Sequence, residues 1–200
     1  MKQEEKTQRT KNKIYEAALR EFGTNGYAAG SVNRICEAGI NRGLIYHNFK
    51  DKDELYLECV KKSCEAFISY IVLHKGEEGF VEYMNTRMHF FAEHENEAAL
   101  FLETRTHPPY HLREQIQDIY AEFDDLNMAI LERELCRHSL RQEVSREEAL
   151  RYFLLIQKAY NFDFMHKLHP DMSVQEQIAL HEKDLYKIFD LLLYGIAQRR

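Results

Sequence analysis

Apolar side chains recur along almost the whole chain with the spacing of one face of a helix, and nowhere with the alternation of a half-buried strand. Ile14, Ala17, Ala18 and Phe22 form the first such stripe. Thr10 is placed to cap that helix and Gly26 to end it. A short second helix is predicted from Ser31, with Val32, Ile35 and Cys36 inward, and Gly39 breaks it. Asn41 caps a third helix carrying Leu44, Ile45 and Phe49. Asp51 and Glu54 have capping-box spacing and open a long fourth helix with Leu55, Val60, Cys64, Phe67 and Ile71 as its stripe.

Beyond Gly76 and Gly79 the pattern predicts helices over about 80–94, 97–106 and 110–138, with Pro108-Pro109 as the interruption. Ser145/Glu148 and Ser173/Glu176 both fit the capping box and start two final helices, separated by His169-Pro170. Each runs about 24 residues, hence ~36 Å. The last carries Ile178, Leu185, Ile188, Leu192 and Ile196. Both helices are apolar on more than one face, so each needs burial from two directions. A second copy of the pair, forming a four-helix bundle, meets that need, and a central core helix in a monomer is the other solution.

Hydrophobic residues make up 44% of the 200-residue chain, enough for a packed core without disulfides or metals. Cys36, Cys59, Cys64 and Cys136 form no C-x-x-C pair and sit among apolar helical neighbours, so reduced structural thiols are expected. The net charge of −6 argues against nucleic acid, but its distribution does not. Residues 1–50 hold nine Lys or Arg against five acids, net +4, and the remainder is net −10. A cationic head on an acidic body suits a phosphate-binding domain joined to an unrelated one. No apolar run approaches the ~20 residues of a membrane span. The start MKQEEKTQRTK is too polar for a signal peptide, so a cytoplasmic protein without membrane partners is expected.

The segment SVNRICEAGINRGLIYHNFKDK, Ser31 to Lys52, has the physics of a helix-turn-helix. Val32, Ile35, Ile40, Ile45 and Phe49 would hold the helices together, leaving Arg42, Leu44, Tyr46, His47 and Asn48 mostly outside. Gly43 costs about 1 kcal/mol of helix propensity relative to Ala, which close backbone approach to another surface would offset.

At Ser31, Val32, Ile35, Ala38-Gly39, Gly43, Tyr46, Phe49, Lys52 and Leu55 the chain resembles the TetR family of bacterial transcriptional regulators. Residues 16–27, EAALREFGTNGY, are similar to the family's first helix and exit turn, and LLLYGIA, Leu191 to Ala197, to the end of the last. The resemblance implies an all-α protein. Residues 1–55 would be a three-helix helix-turn-helix DNA-binding domain, with a fourth helix from about 51 as link. Residues 56–200 would be a larger helical ligand-binding and dimerisation domain. It implies a homodimeric repressor released from a double-stranded operator by a small-molecule effector, with no cofactor and no catalysis.

Position by position, the resemblance implies that Ser31 caps the second helix and offers its hydroxyl and nearby N–H groups to a phosphate. Arg42 and His47 would face the major groove, and Gly43 would let the backbone approach it. Tyr46 would donate to a phosphate, Asn48 would add a contact at the groove edge, and Lys52 would reach the DNA backbone beside a helix N-terminus. Leu44 stands where the family often has Thr, replacing a hydroxyl–phosphate bond by apolar contact to a thymine methyl.

For the ligand pocket the candidates are Met84, Met88, Phe91, Phe101, Arg105, Tyr110, His111, Tyr120, Tyr160 and Phe164, residue types that serve equally as plain core. A buried Arg105 would favour an anionic ligand. For the dimer interface they are Phe153, Ile156, Tyr160, Leu185, Ile188 and Leu192. Ten histidines raise a metal sensor using the same head, but His107 and His111 flank Pro108-Pro109, and Cys136/His138 and His89/Glu93 are thin pairs. No nucleophile elbow, phosphate loop or zinc helix motif occurs, leaving a helical enzyme or scaffold without DNA binding as the remaining alternative.

Overall fold

The computed structural model describes residues 3–74, 79–167 and 171–195. Gly76, His169, Pro170 and Ile196, used above as breaks or stripe positions, lie outside the described residues. The elements are α1 (Gln3–Ala29), α2 (Val32–Glu37), α3 (Arg42–Asn48), α4 (Lys52–Leu73), α5 (Phe80–Glu93), α6 (Glu95–Thr106), a 3-10 turn (Tyr110–Leu112), α7 (Arg113–Ile119), α8 (Ala121–Arg137), α9 (Arg146–His166) and α10 (Val174–Tyr194). No strand occurs among the described residues.

Local chemistry explains most boundaries. The Ser31 hydroxyl accepts from the Asn33 N–H, and the Asn41 side chain accepts from the Gly43 N–H at 2.8 Å. Both late capping boxes form, Ser145 with Glu148 and Ser173 with Glu176. Glu54 N–H donates to Asp51 Oδ1 at 2.9 Å, while the Glu54 carboxylate accepts from the Lys50 N–H. Gly26 interrupts α1 at φ 66°, ψ 179°, a conformation restricted to glycine in practice.

Two boundaries differ from expectation. α1 begins at Gln3, so Thr10 lies within it; the preceding Glu and Gln residues are good helix formers. The single helix expected over 110–138 is a 3-10 turn and two helices divided at Tyr120. There the ring is buried and its hydroxyl meets Thr104 Oγ1 at 2.9 Å, so a tertiary contact overrides a continuous helical pattern.

The chain forms two compact units, 1–66 with 94–120, and 67–93 with 121–200. In the first, α1 packs on α2 and α6, and α2 on α3. Ile14, Ala18, Phe22, Ile35, Ile45, Phe49, Leu55 and Tyr56 are buried there. Gly23 permits the close approach of α1 to α6, since a Cβ would lie 2.8 Å from Asn96 Cα. In the second unit α5 packs on α8 and α10, and α9 on α8 and α10. Its centre is aromatic: Phe67 stacks with Phe90 at 4.8 Å and with Phe123 at 5.3 Å.

Cys59 and Cys64 are buried and Cys36 half-buried, as core thiols should be. Cys136 is exposed, so its apolar neighbours in sequence misrepresent its place on α8. No described helix is long and apolar enough to cross a membrane.

Candidate nucleic-acid interface

α3 has one buried residue, Ile45, and Phe49 beyond its end is buried as well. These two, with Val32 and Ile35 of α2, anchor the turn on α1; Ile40 is only half-buried. The anchoring fixes what faces outward. Arg42, Gly43, Leu44, Tyr46 and His47 are exposed and Asn48 half-buried. Leu44 and Tyr46 expose 40% and 43% of their surface, high for residues of their size and apolarity. The Arg42 guanidinium lies 5.6 Å from the Tyr46 ring centre, so the two share one side of the helix. The Asn48 amide donates to the Leu44 carbonyl at 2.8 Å.

Gly43 has a local role besides the approach of a partner. A Cβ there would stand 3.1 Å from Asn41 Oδ1, crowding the atom that caps α3.

Ser31 is held by a clamp that the sequence did not reveal. Glu21 Oε1 accepts from the Ser31 N–H at 2.8 Å and from Arg34 Nε at 2.7 Å, and Arg34 also donates to the Ala29 carbonyl. Burial would raise the Glu21 carboxyl, but the Arg34 guanidinium and the Ser31 N–H hold it below the ordinary value. Ser31's own N–H is therefore committed within the protein, and its hydroxyl serves the cap. A helical wheel cannot show this, because the three residues lie on α1, a turn and α2.

Lys52, at the start of α4, is half-buried with its ammonium 4.3 Å from the Tyr27 ring centre. The neighbouring Asp53 accepts from the Tyr27 hydroxyl and contacts His111 Nε2 at 3.1 Å. Desolvation, then the Asp53 carboxylate, pushes the Tyr27 phenol up to about 12. Glu103 of α6 accepts from the Tyr27 N–H at 2.8 Å and from the Tyr56 hydroxyl at 2.7 Å. The end of α1 and the start of α4 are thus tied to α6 and to the 3-10 turn.

The pocket candidates divide between the units. In the first, Phe101 and Tyr120 are buried, Arg105 is half-buried with its guanidinium 5.2 Å from the Tyr120 ring, and Tyr110 and His111 are exposed. In the second, Met84, Phe91 and Phe164 are buried, Tyr160 is half-buried and Met88 exposed. Arg105 and Tyr120 line one cleft, Met88 and Phe91 another groove. Exposure of 78% makes Tyr110 a surface ring. Of the interface candidates, Phe153 and Leu185 are buried within their own unit, Phe153 against Phe189 at 5.1 Å. Ile156, Tyr160, Ile188 and Leu192 are half-buried. The large apolar residues of α9 and α10 that are exposed are Tyr152, Leu155, Phe162, Leu191 and Tyr194. Among the described residues no group of three or more His, Cys, Asp and Glu is placed to hold a metal ion.

Residues 14–59 match the sequence model of the bacterial regulatory proteins of the tetR family. The transcriptional repressor AcnR of Corynebacterium glutamicum is 33% identical over 81 residues, 40% of this chain and 41% of that one. The transcriptional regulator AcrR of Shigella flexneri is 40% identical over 58 residues, 28% of this chain and 27% of that one. The chain thus spans about two fifths or less of the length of these curated relatives. Similarity of fold extends further. The transcriptional regulator FadR from Bacillus subtilis, solved in complex with stearoyl-CoA, superposes with a TM-score of 0.65 at 20% identity, covering 92% of this chain and 98% of that one. For the regulator PfmR from Thermus thermophilus the TM-score is 0.57 at 22% identity, covering 92% and 99%. Residues 14–59 are thus similar to the helix-turn-helix domain of the tetR family of bacterial regulatory proteins, and the solved structures extend the likeness of fold over the rest of the chain.

Proposed function

We propose that this protein is a homodimeric transcriptional repressor that binds duplex DNA and is released by a small-molecule effector. The observation that carries the reading is the outward face of α3: Arg42, Leu44, Tyr46 and His47 are exposed while Ile45 and Phe49 hold the helix down. A short, anchored helix with a cation, a phenol and an imidazole outward is suited to the major groove. Lys52 at the start of α4 and the Ser31 hydroxyl are the phosphate contacts, and Gly43 and Asn48 complete the surface. The names of the relatives, several of them repressors, support repression over activation.

Pairing two copies through α9 and α10 follows from their surface. Tyr152, Leu155 and Phe162 lie three and seven residues apart on one side of α9, and α10 adds Leu191 and Tyr194. The interface belongs to these exposed residues and their half-buried neighbours Ile156, Ile188 and Leu192. The head carries a net charge of only +4, so a single copy binds weakly and two matched half-sites supply useful affinity. An effector acts by binding one arrangement of the dimer better than the other.

The test is fluorescence anisotropy on a duplex from the region upstream of the protein's own gene, across a salt series. Wild-type affinity is expected to fall steeply with salt as counterions are released. Changing Arg42, Tyr46 and Lys52 together to Ala should abolish binding with circular dichroism unchanged. Binding equal to wild type would overturn the reading.

A further inference from the structure

Arg42 opens α3, a place where local energetics disfavour a cation. The first turn of a helix presents the positive end of its dipole, and no acid in this turn offsets the added charge. Tyr46, one turn further on, leaves 43% of its surface exposed, so its ring adds little to the core that Ile45 and Phe49 form beside it. Folding alone accounts for neither side chain. Each has the other as its neighbour: the guanidinium carbon lies 5.6 Å from the centre of the Tyr46 ring, within the ~6 Å reach of a cation–π contact.

A ring holds a guanidinium differently from a carboxylate. Attraction to the π face engages no N–H, so the donor edge stays available to a third group. Arg34 of α2 shows the contrast. Its Nε donates to Glu21 at 2.7 Å and its Nη2 to the Ala29 carbonyl, so that fork is taken up by the protein. Among the described residues no acceptor takes an N–H of Arg42. Asn48, at the far end of the same helix, has its amide engaged by the Leu44 carbonyl at 2.8 Å. The planar donor fork left on the outward side of α3 is that of Arg42.

From this we infer that Arg42 reads the edge of a guanine and that Tyr46 is the positioning residue for it, acting through its ring rather than its hydroxyl. The inference rests on the reading of α3 as the helix that enters the major groove. Guanine presents two acceptors there, N7 and O6, which a guanidinium fork meets together, and no other base presents that pair. An exposed arginine is otherwise free to serve a phosphate, and a phosphate contact carries no sequence information. The ring keeps the guanidinium on one side of α3 before DNA arrives, so less rotamer freedom is lost when the fork meets the base. The Tyr46 hydroxyl has a different effect: its bond to a phosphate strengthens every duplex alike, whereas the ring bears on one base pair.

Selection from a randomised duplex pool with the full chain supplies the preferred site. Replacing its guanines one at a time by 7-deazaguanine then removes N7 and keeps the base pair. At one position this should weaken wild-type binding by about tenfold, the scale of a bidentate base contact. Arg42→Ala should show no penalty at that position. Tyr46→Leu should reduce the penalty by about threefold, the scale of an exposed cation–π contact. Tyr46→Phe should keep the penalty in full, whatever its overall affinity, because the ring remains. Low salt keeps the single variants within the measurable range, and circular dichroism checks their fold. No guanine sensitive to loss of N7, a penalty that persists in Arg42→Ala, an unchanged penalty in Tyr46→Leu, or a Tyr46→Phe as indifferent as Tyr46→Leu would each overturn the inference while duplex binding stands. Failure of the wild type to enrich any duplex would overturn the repressor reading and this inference with it.

Discussion

Arg87 of α5 and Glu182 of α10, 95 residues apart, are joined by two parallel hydrogen bonds, Nε to Oε2 at 2.7 Å and Nη2 to Oε1 at 2.8 Å. Both side chains are about 2% exposed, and the guanidinium lies within 5.8 Å of the ring centres of Phe67, Tyr83, Phe91 and Phe123. Tyr83 accepts from Arg87 Nη1 and donates to Asn127, and His181 Nδ1 stands 3.2 Å from Glu182 Oε1. Such a pair is more costly to break than to replace. Arg87→Met alone is expected to destabilise by about 3–5 kcal/mol, because it strands a buried carboxylate. Arg87→Met with Glu182→Leu should recover most of that loss. Urea denaturation of the two variants checks the contrast.

Acid should act through the same pair. Burial alone would raise the Glu182 carboxyl, but the Arg87 guanidinium and the contact from His181 hold it well below the usual carboxylate range. A depressed folded-state value contributes stability that is fully present above the unfolded carboxylate value of about 4.3 and is lost as the pH falls below it. Glu21, Glu148 and Glu176 are shifted in the same direction, the last two by the cap N–H and hydroxyl groups of Ser145 and Ser173. The urea midpoint is expected to drop between pH 5 and pH 3, as paired carboxylates are protonated. Glu182→Gln should flatten that drop, and an unchanged slope would argue against the pair as its source.

Gly26 should tolerate no side chain. Its φ of 66° with ψ of 179° costs an L-residue about 1–3 kcal/mol. A Cβ would also lie 2.7 Å from the Glu103 Oε1 that accepts the Tyr27 N–H. For a chain of this size each 1 kcal/mol lowers Tm by about 2–4 °C, so Gly26→Ala is expected to melt several degrees early. Differential scanning calorimetry reads the shift. A Tm equal to wild type would mean that the turn relaxes freely.

The exposed stripe of α9 gives a prediction about assembly. Leu155 is 59% exposed and lies in the proposed interface, whereas Phe153, two residues before it, is buried against Phe189. Leu155→Glu is expected to give a monomer by light scattering at micromolar concentration, with helicity retained. A dimer of unchanged stability would move the interface elsewhere.

Elements governed by neighbours in the chain were legible in the sequence. The caps at Ser31, Asn41, Ser145 and Ser173, the turn at Gly39 and the stripe from Leu55 to Ile71 all depend on residues at most a few positions apart. That spacing is what a helix converts directly into geometry. The outward set of α3 was legible for the same reason, since burying Ile45 leaves only one side for Arg42, Leu44 and Tyr46.

What remained for the tertiary structure to decide involves partners far apart in sequence. A helical period cannot tell that Tyr120 breaks a helix to reach Thr104, or that Arg87 is buried against Glu182. Nor can it tell which of two apolar sides of α9 faces its own core: Phe153 and Leu155 are alike in the sequence and opposite in burial. The helix-turn-helix was therefore written in local order, one turn at a time. The contacts that hold it, Glu21 with Arg34 and Glu103 with the Tyr27 N–H, came from folding, because only packing brings groups this far apart in the chain together.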